Sequence, residues 1–197
     1  MESKFEELIG GYLDNQVGIS DHFFDEDLSG RLRQNLMNLE KADRMKNAGI
    51  GNMLVKDPEQ NKRGDKIFWI EQKTIDPAER AFLDQIENFI QYLNQTCYTG
   101  INAYEFHYAL YHTGSSYKRH VDQFKDNNHR KFSLISYLNK DWKNEDGGEL
   151  LIYQADQTKK ILPRIQKTVF FRSNDCEHEV SESSRPRMSI TGWLKSC

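Results

Sequence analysis

Apolar residues in the first hundred positions recur mostly at helical spacing. Leu28, Leu32, Leu36 and Leu39 form one stripe between Asp25 and Lys41, with Arg31, Arg33 and Glu40 mostly off it. This predicts a helix over 25–41 that buttresses a sheet. A second stripe, Phe82, Ile86, Phe89, Ile90 and Leu93, predicts a core helix running to Asn94. Its start is marked by Asp76 as a cap, Pro77 at the first helical position and Glu79 as the returning side of a capping box. A weaker helical pattern covers Ser3 to Leu13, where Gly10 and Gly11 loosen the end. Between the helices, Pro58 and the polar run to Asp65 predict a loop, and Ile67 to Glu71 a short strand.

From about Ala103 the period changes to two. Residues 104–111, 131–138, 149–153, 167–171 and 187–194 read as strands, separated by turns such as H-T-G, D-N-N-H, E-D-G-G and S-S-R-P. Arg187, Ser189, Thr191 and Trp193 share one face of the last strand, and Met188, Ile190 and Leu194 the other. In an earlier strand Ser133, Ile135 and Tyr137 oppose Phe132, Leu134 and Leu138. Each strand thus offers a greasy face to helices and a mixed face to a cavity. Helices first and strands afterwards predict an α+β fold: a double-stranded β-helix (jelly roll) of antiparallel strands buttressed by N-terminal helices. One domain over 1–197 is expected, with helical support over about 1–95 and the jelly-roll core over about 103–197.

Composition narrows the function classes. A net charge of −3 on 197 residues offers no general attraction to nucleic acid or anionic lipid. No stretch reads as a signal-peptide core or a membrane span. Cys97, Cys176 and Cys197 are odd in number and lack a C-x-x-C pair, which points to a reducing, cytoplasmic setting.

The chemistry concentrates between His120 and Arg187. His120 and Asp122 are two residues apart, so on a strand their side chains leave one face. With His178 from a distant strand they would make two imidazoles and one carboxylate, the facial set of non-haem Fe(II) oxygenases with three coordination positions open. Arg187, close to His178, is a fixed cation suited to a dicarboxylate such as 2-oxoglutarate.

With these residues placed, the chain resembles the 2-oxoglutarate- and iron-dependent prolyl 4-hydroxylases, in the branch that includes the hypoxia-inducible-factor prolyl hydroxylases and their bacterial relatives. The similar stretches are R-G-D-K-I-F-W-I-E from Arg63, Y-K-R-H-V-D from Tyr117, Y-L-N-K-D-W from Tyr137, G-G-E-L from Gly147, F-F-R-S-N-D-C-E-H-E-V from Phe170 and R-M-S-I-T-G-W from Arg187. The resemblance implies that His120, Asp122 and His178 hold Fe(II). It implies that Arg187 binds the distal carboxylate of 2-oxoglutarate, with a hydrogen bond from Tyr137. Tyr111, Thr191 and Trp193 would line the same pocket. It further implies O2 as the second co-substrate, leaves room for ascorbate, and makes the partner a protein bearing a target proline. Translation components are candidates by analogy, and no nucleic acid or membrane partner is expected. The segment near 57–73 resembles a mobile hairpin that folds over a bound peptide, with a tip from Glu59 to Asp65 that has nothing to bury.

Blander readings apply elsewhere. His107 and His112 read as structural or surface histidines, His129 as part of a solvated turn, and Cys176 as a passive thiol. The R-G-D triplet at Arg63 reads as a glycine turn between strands. Arg119, Lys125, Arg130 and Lys131 form a local basic cluster that could favour an acidic substrate segment. Two other functions compete: the same oxygenase chemistry on a free amino acid or other small molecule, and a metal-dependent binding module without turnover.

Overall fold

The computed structural model describes residues 2–49, 63–123 and 129–197. Three helices precede most of the strands: α1 (Glu2–Asn15), α2 (Glu26–Lys41) and α3 (Pro77–Cys97). The strands are β1 (Val17–Ser20), β2 (Lys46–Asn47), β3 (Asp65–Ile70), β4 (Ala103–Tyr111), β5 (Tyr117–His120), β6 (Arg130–Tyr137), β7 (Leu150–Tyr153), β8 (Thr158–Ile161), β9 (Thr168–Arg172), β10 (Glu177–Val180) and β11 (Arg187–Lys195). They form a major sheet, β1-β9-β6-β11-β4-β3-β2, and a minor sheet, β5-β10-β7-β8, with antiparallel pairing throughout. This is the jelly roll that the patterning predicts.

Helix starts follow the sequence signals. The Asp25 carboxylate accepts from the Leu28 amide at 2.7 Å, and Asp76 accepts from Ala78 and Glu79 at 2.9 Å each. The capping box at α3 does not close as expected. Glu79 instead accepts from the Thr74 hydroxyl at 2.5 Å, because the preceding turn brings Thr74 within its reach. Helix α3 also runs to Cys97, beyond Asn94, and ends at Tyr98 in the left-handed region. Helix α1 survives its two glycines because Phe5, Leu8 and Ile9 are buried. It lies so close to β1 that a Cβ on Gly18 would stand 2.0 Å from the Leu8 carbonyl oxygen.

Period two sorts the strand residues between two cores. Phe106, Tyr108, Leu110, Leu134, Phe170, Ile190 and Leu194 pack beneath the helices with Leu8, Leu32, Phe82 and Phe89. Ala109, Tyr111, Ile135, Tyr137, Val169 and Phe171 face the minor sheet, meeting Leu150, Ile152 and Val180. The second core is where one sheet wraps over the other, and its open end holds the polar residues.

Two expectations need correction at β3. Asp65 is not part of a loose polar tip: it opens β3, is buried, and pairs with Arg63 at 2.6 and 2.9 Å. Arg63 itself bridges to Tyr117 in a backbone pairing, so the R-G-D triplet is stitched into the sheet and is no free turn. The remainder of the expected lid hairpin, up to Lys62, lies outside the described residues. The Trp69 end does sit on the sheet, paired opposite His107.

Candidate active site

Strands β5 and β10 carry the two imidazoles into register. His120 and His178 are paired across the minor sheet, with ring centroids 4.3 Å apart. Strand β5 ends at His120, so Asp122 does not extend from a strand as its spacing suggested. It sits in the following bend, where Arg130 donates to its main-chain oxygen at 3.2 Å and the Ser133 hydroxyl donates to its carboxylate at 2.6 Å. The bend achieves what the strand spacing promised. His120 Nε2 and His178 Nε2 each lie 3.7 Å from a different Asp122 oxygen, and the three ligand atoms fall within 4.8 Å of one another.

The other face of each imidazole is held by main chain. His120 Nδ1 is 2.7 Å from the Lys118 oxygen and His178 Nδ1 is 3.0 Å from the Cys176 oxygen. A carbonyl only accepts, so each Nδ1 carries the proton and each Nε2 presents its lone pair to the centre. Burial alone would raise the Asp122 carboxyl; attraction to the imidazoles whenever they carry a second proton, together with the Ser133 hydrogen bond, outweighs it and holds the group well below the usual carboxylate range. Burial likewise depresses His178, partly opposed by Asp122. An anionic oxygen with two neutral nitrogens, pre-oriented and backed by hydrogen bonds, fits a divalent first-row metal such as Fe(II).

Arg187 stands at the end of β11 opposite Tyr111, and is 2% exposed. Its Nε donates to the Gly148 oxygen at 2.8 Å, and the guanidinium carbon lies 5.2 Å from the Tyr111 ring centroid and 5.0 Å from that of Tyr137. Gly148 has φ of +67° and touches the Arg187 side chain, so a larger residue there would be both strained and crowded. Among the described residues no carboxylate pairs with Arg187. A buried cation without an anion is costly, which marks the site as one that receives an anion.

The sequence-predicted residues converge. Tyr111, His120, Asp122, His178, Arg187, Thr191 and Trp193 line one cavity between the sheets. Tyr137 packs against Arg187, its ring centroid 5.0 Å from the guanidinium carbon. Its hydroxyl is buried without a hydrogen-bond partner among the described residues, and burial pushes the phenol up to about 12, against the pull of Arg187.

Other contributors were read as bland in the sequence or passed over. Arg63 and Asp65 reach the cavity wall, and the Arg63 guanidinium lies 4.9 Å from the ring centroid of Tyr117, which stacks on His120 at 3.6 Å. Ser173 backs Ser133 at 2.9 Å. His107 is no surface histidine; it also lines the cavity. An R-G-D feeding a strand could have signalled the first pair, but a lone serine carries no such signal. The basic cluster is weaker than it reads: Arg119 is paired with Glu177 and Arg130 with Glu105, while Lys125 lies outside the described residues.

Known proteins resemble this chain in sequence and in fold. The sequence profile of the 2OG-Fe(II) oxygenase superfamily matches residues 106–195. A Pseudomonas putida prolyl-4-hydroxylase has a similar structure, with a TM-score of 0.88 and 28% identity over 98% of this chain and 99% of that one. A Trichoplax adhaerens prolyl hydroxylase, solved with a hypoxia inducible factor peptide fragment, aligns with a TM-score of 0.87 and 25% identity, covering 99% of this chain and 90% of that one. Human Egl nine homolog 1 is 30% identical over 159 residues, which is 70% of this chain and 34% of that protein. A Xenopus laevis prolyl 3-hydroxylase, OGFOD1, is 34% identical over 79 residues, 34% of this chain and 16% of that protein. The chain therefore spans well under half the length of these curated relatives.

Proposed function

We propose that this chain is a 2-oxoglutarate-dependent dioxygenase of the prolyl 4-hydroxylase family that hydroxylates a prolyl residue in a protein. One observation carries the proposal furthest: a pre-oriented His120–Asp122–His178 set shares a cavity with a buried Arg187 that has no carboxylate partner among the described residues. A metal-dependent binding module has no use for that second element. The whole chain is read as a single oxygenase domain.

When bound, Fe(II), 2-oxoglutarate and O2 supply the oxidising power, with succinate and CO2 as by-products. The chain's own residues position and exclude. His120, Asp122 and His178 hold the metal; Lys118 and Cys176 carbonyls keep both imidazoles in the ligating tautomer. Ser133 donates to one Asp122 oxygen and so fixes the orientation of the carboxylate that would hold the metal. Arg187 takes the distal carboxylate of 2-oxoglutarate with its planar fork, and Tyr137 offers that group its unpartnered hydroxyl. Tyr111 and Thr191 form the polar part of the wall. Ile135, Leu150 and Val180 keep water from the buried charges, and Trp193 shapes the substrate side of the metal. Ascorbate fits only as an external reductant of the iron. A protein substrate is supported by the Trichoplax relative's peptide complex.

No described helix is long and apolar enough to cross a membrane. The free Cys97, Cys176 and Cys197 suit a cytoplasmic enzyme. The test incubates the protein with Fe(II), 2-oxoglutarate and proline-containing peptides. Succinate formation together with a +16 product at proline is expected. Succinate without any peptide product would point to a small-molecule substrate, and no succinate at all would overturn the oxygenase reading.

A further inference from the structure

His107 is 1% exposed, and neither ring nitrogen has a hydrogen-bond partner among the described residues. It projects from β4 into the same cavity as the triad. Its ring packs beside two indoles that also touch each other, with centroids 4.8 Å from Trp69 and 5.5 Å from Trp193 and the indoles 6.3 Å apart, which leaves its other side to the cavity. Two orphaned polar atoms in one buried side chain are an energetic debt that a folded protein seldom tolerates without a use. The missing partners have to come from whatever occupies the cavity.

Position and chemistry identify that occupant. In the sheet His107 pairs with Thr191 on one side and Trp69 on the other, whereas Arg187 pairs with Tyr111. Four residues of strand separate His107 from Tyr111, about 13 Å of rise. His107 thus belongs to the end of the cavity flanked by Trp69, which is 46% exposed, and not to the Arg187 end. Burial, with Arg63 and Arg130 nearby, pushes its pKa down to about 3, so the ring is neutral and offers one donor and one acceptor. A carboxylate only accepts and would leave one nitrogen orphaned. A main-chain amide group, with its C=O and a neighbouring N–H, satisfies both.

We propose that His107 is a substrate-positioning residue that hydrogen-bonds the main chain of a peptide seated over the metal triad, making this site selective for peptide over apolar substrates. This deepens the oxygenase reading and rests on it.

The experiment compares the wild-type chain with His107→Leu and His107→Gln, using a library of proline-centred peptides with Fe(II) and 2-oxoglutarate. The peptide KM should rise about tenfold in His107→Leu, as expected for one lost hydrogen bond to a buried group, and recover in part in His107→Gln. The KM for 2-oxoglutarate should move less than the peptide KM. In the metal-free, ligand-free protein, His107→Leu should raise Tm, because it removes two unpaired polar atoms from a buried position. The inference is overturned if the Leu variant keeps the wild-type peptide KM, if both KM values shift together, or if its Tm falls by several degrees. It is equally overturned if the wild type forms succinate but hydroxylates no peptide. Absence of succinate in the wild type would instead sink the oxygenase reading, and this inference with it.

Discussion

The two faces of the major sheet obey opposite rules. The helix side is a closed aromatic core in which Phe5 meets Phe89 at 5.2 Å, Phe24 stacks on Phe82 at 4.9 Å and Phe89 abuts Phe170 at 5.4 Å. These contacts need nothing from outside the chain. Among the described residues, the side facing the minor sheet buries Arg187 with no carboxylate beside it and leaves polar atoms of His107, Tyr137 and Trp193 without hydrogen-bond partners, whereas the helix-side core holds the Tyr108 hydroxyl in that state. Stability is concentrated on the first face; the second spends some of it to keep a cavity ready for ligands. The same β-strands serve both, since alternate residues point in opposite directions.

The contrast can be broken most severely at the metal. His178→Ala should abolish succinate formation and weaken Mn(II) or Fe(II) binding by several hundredfold or more, taking roughly 3–4 kcal/mol per ligand from typical metal-site energies. The fold, followed by circular dichroism, should persist; intact metal affinity would refute the ligand set. On the opposite face, Phe89→Ala should cost about 3–5 kcal/mol of stability by opening a cavity under the helices. Denaturant unfolding measures this, and metal affinity of the folded fraction should hardly change. If both quantities fell together, the two faces would not be separable.

Smaller effects sharpen the division within the cavity. Arg187→Ala should weaken 2-oxoglutarate binding by about 2–5 kcal/mol, because a desolvated carboxylate loses its cation. Calorimetric titration in the presence of Mn(II) reads this, and unchanged affinity would remove Arg187 from the co-substrate site. Ser133→Ala should lower metal affinity about 10–100-fold by freeing Asp122, the usual cost of losing a supporting hydrogen bond. Retained affinity would mean that the bend alone positions the carboxylate. Tyr137→Phe should cost about 1 kcal/mol of 2-oxoglutarate affinity and leave stability equal or higher, since the hydroxyl has no hydrogen-bond partner to lose among the described residues. A stability loss above that would show that Tyr137 serves the core.

Much of this molecule was legible in one dimension because the relevant physics is local or periodic. The Leu28–Leu36 and Phe82–Leu93 stripes declare helices with one apolar face, and Asp25 and Asp76 declare where they begin. Alternation in Arg187–Trp193 declares which residues turn to the cavity. The ordered motifs at His120, Asp122, His178 and Arg187 identified the site's chemistry through resemblance. Short polar strands were less visible. Thr158–Ile161 buries one residue and owes its conformation to edge pairing with β7, while Glu177–Val180 is held between β5 and β7.

Only the tertiary structure decided the rest, since those features depend on partners far away in sequence. Asp122 turns inward because Arg130 and Ser133 grip it, although strand spacing alone had suggested the same face. Asp65 is buried because Arg63 folds back to pair with it against Tyr117. His107 looked like any histidine on a strand until two indoles from other strands closed over it and left its nitrogens facing the cavity. Periodicity tells a side chain which way to point; whether a hydrogen-bond partner waits there is a property of the assembled fold.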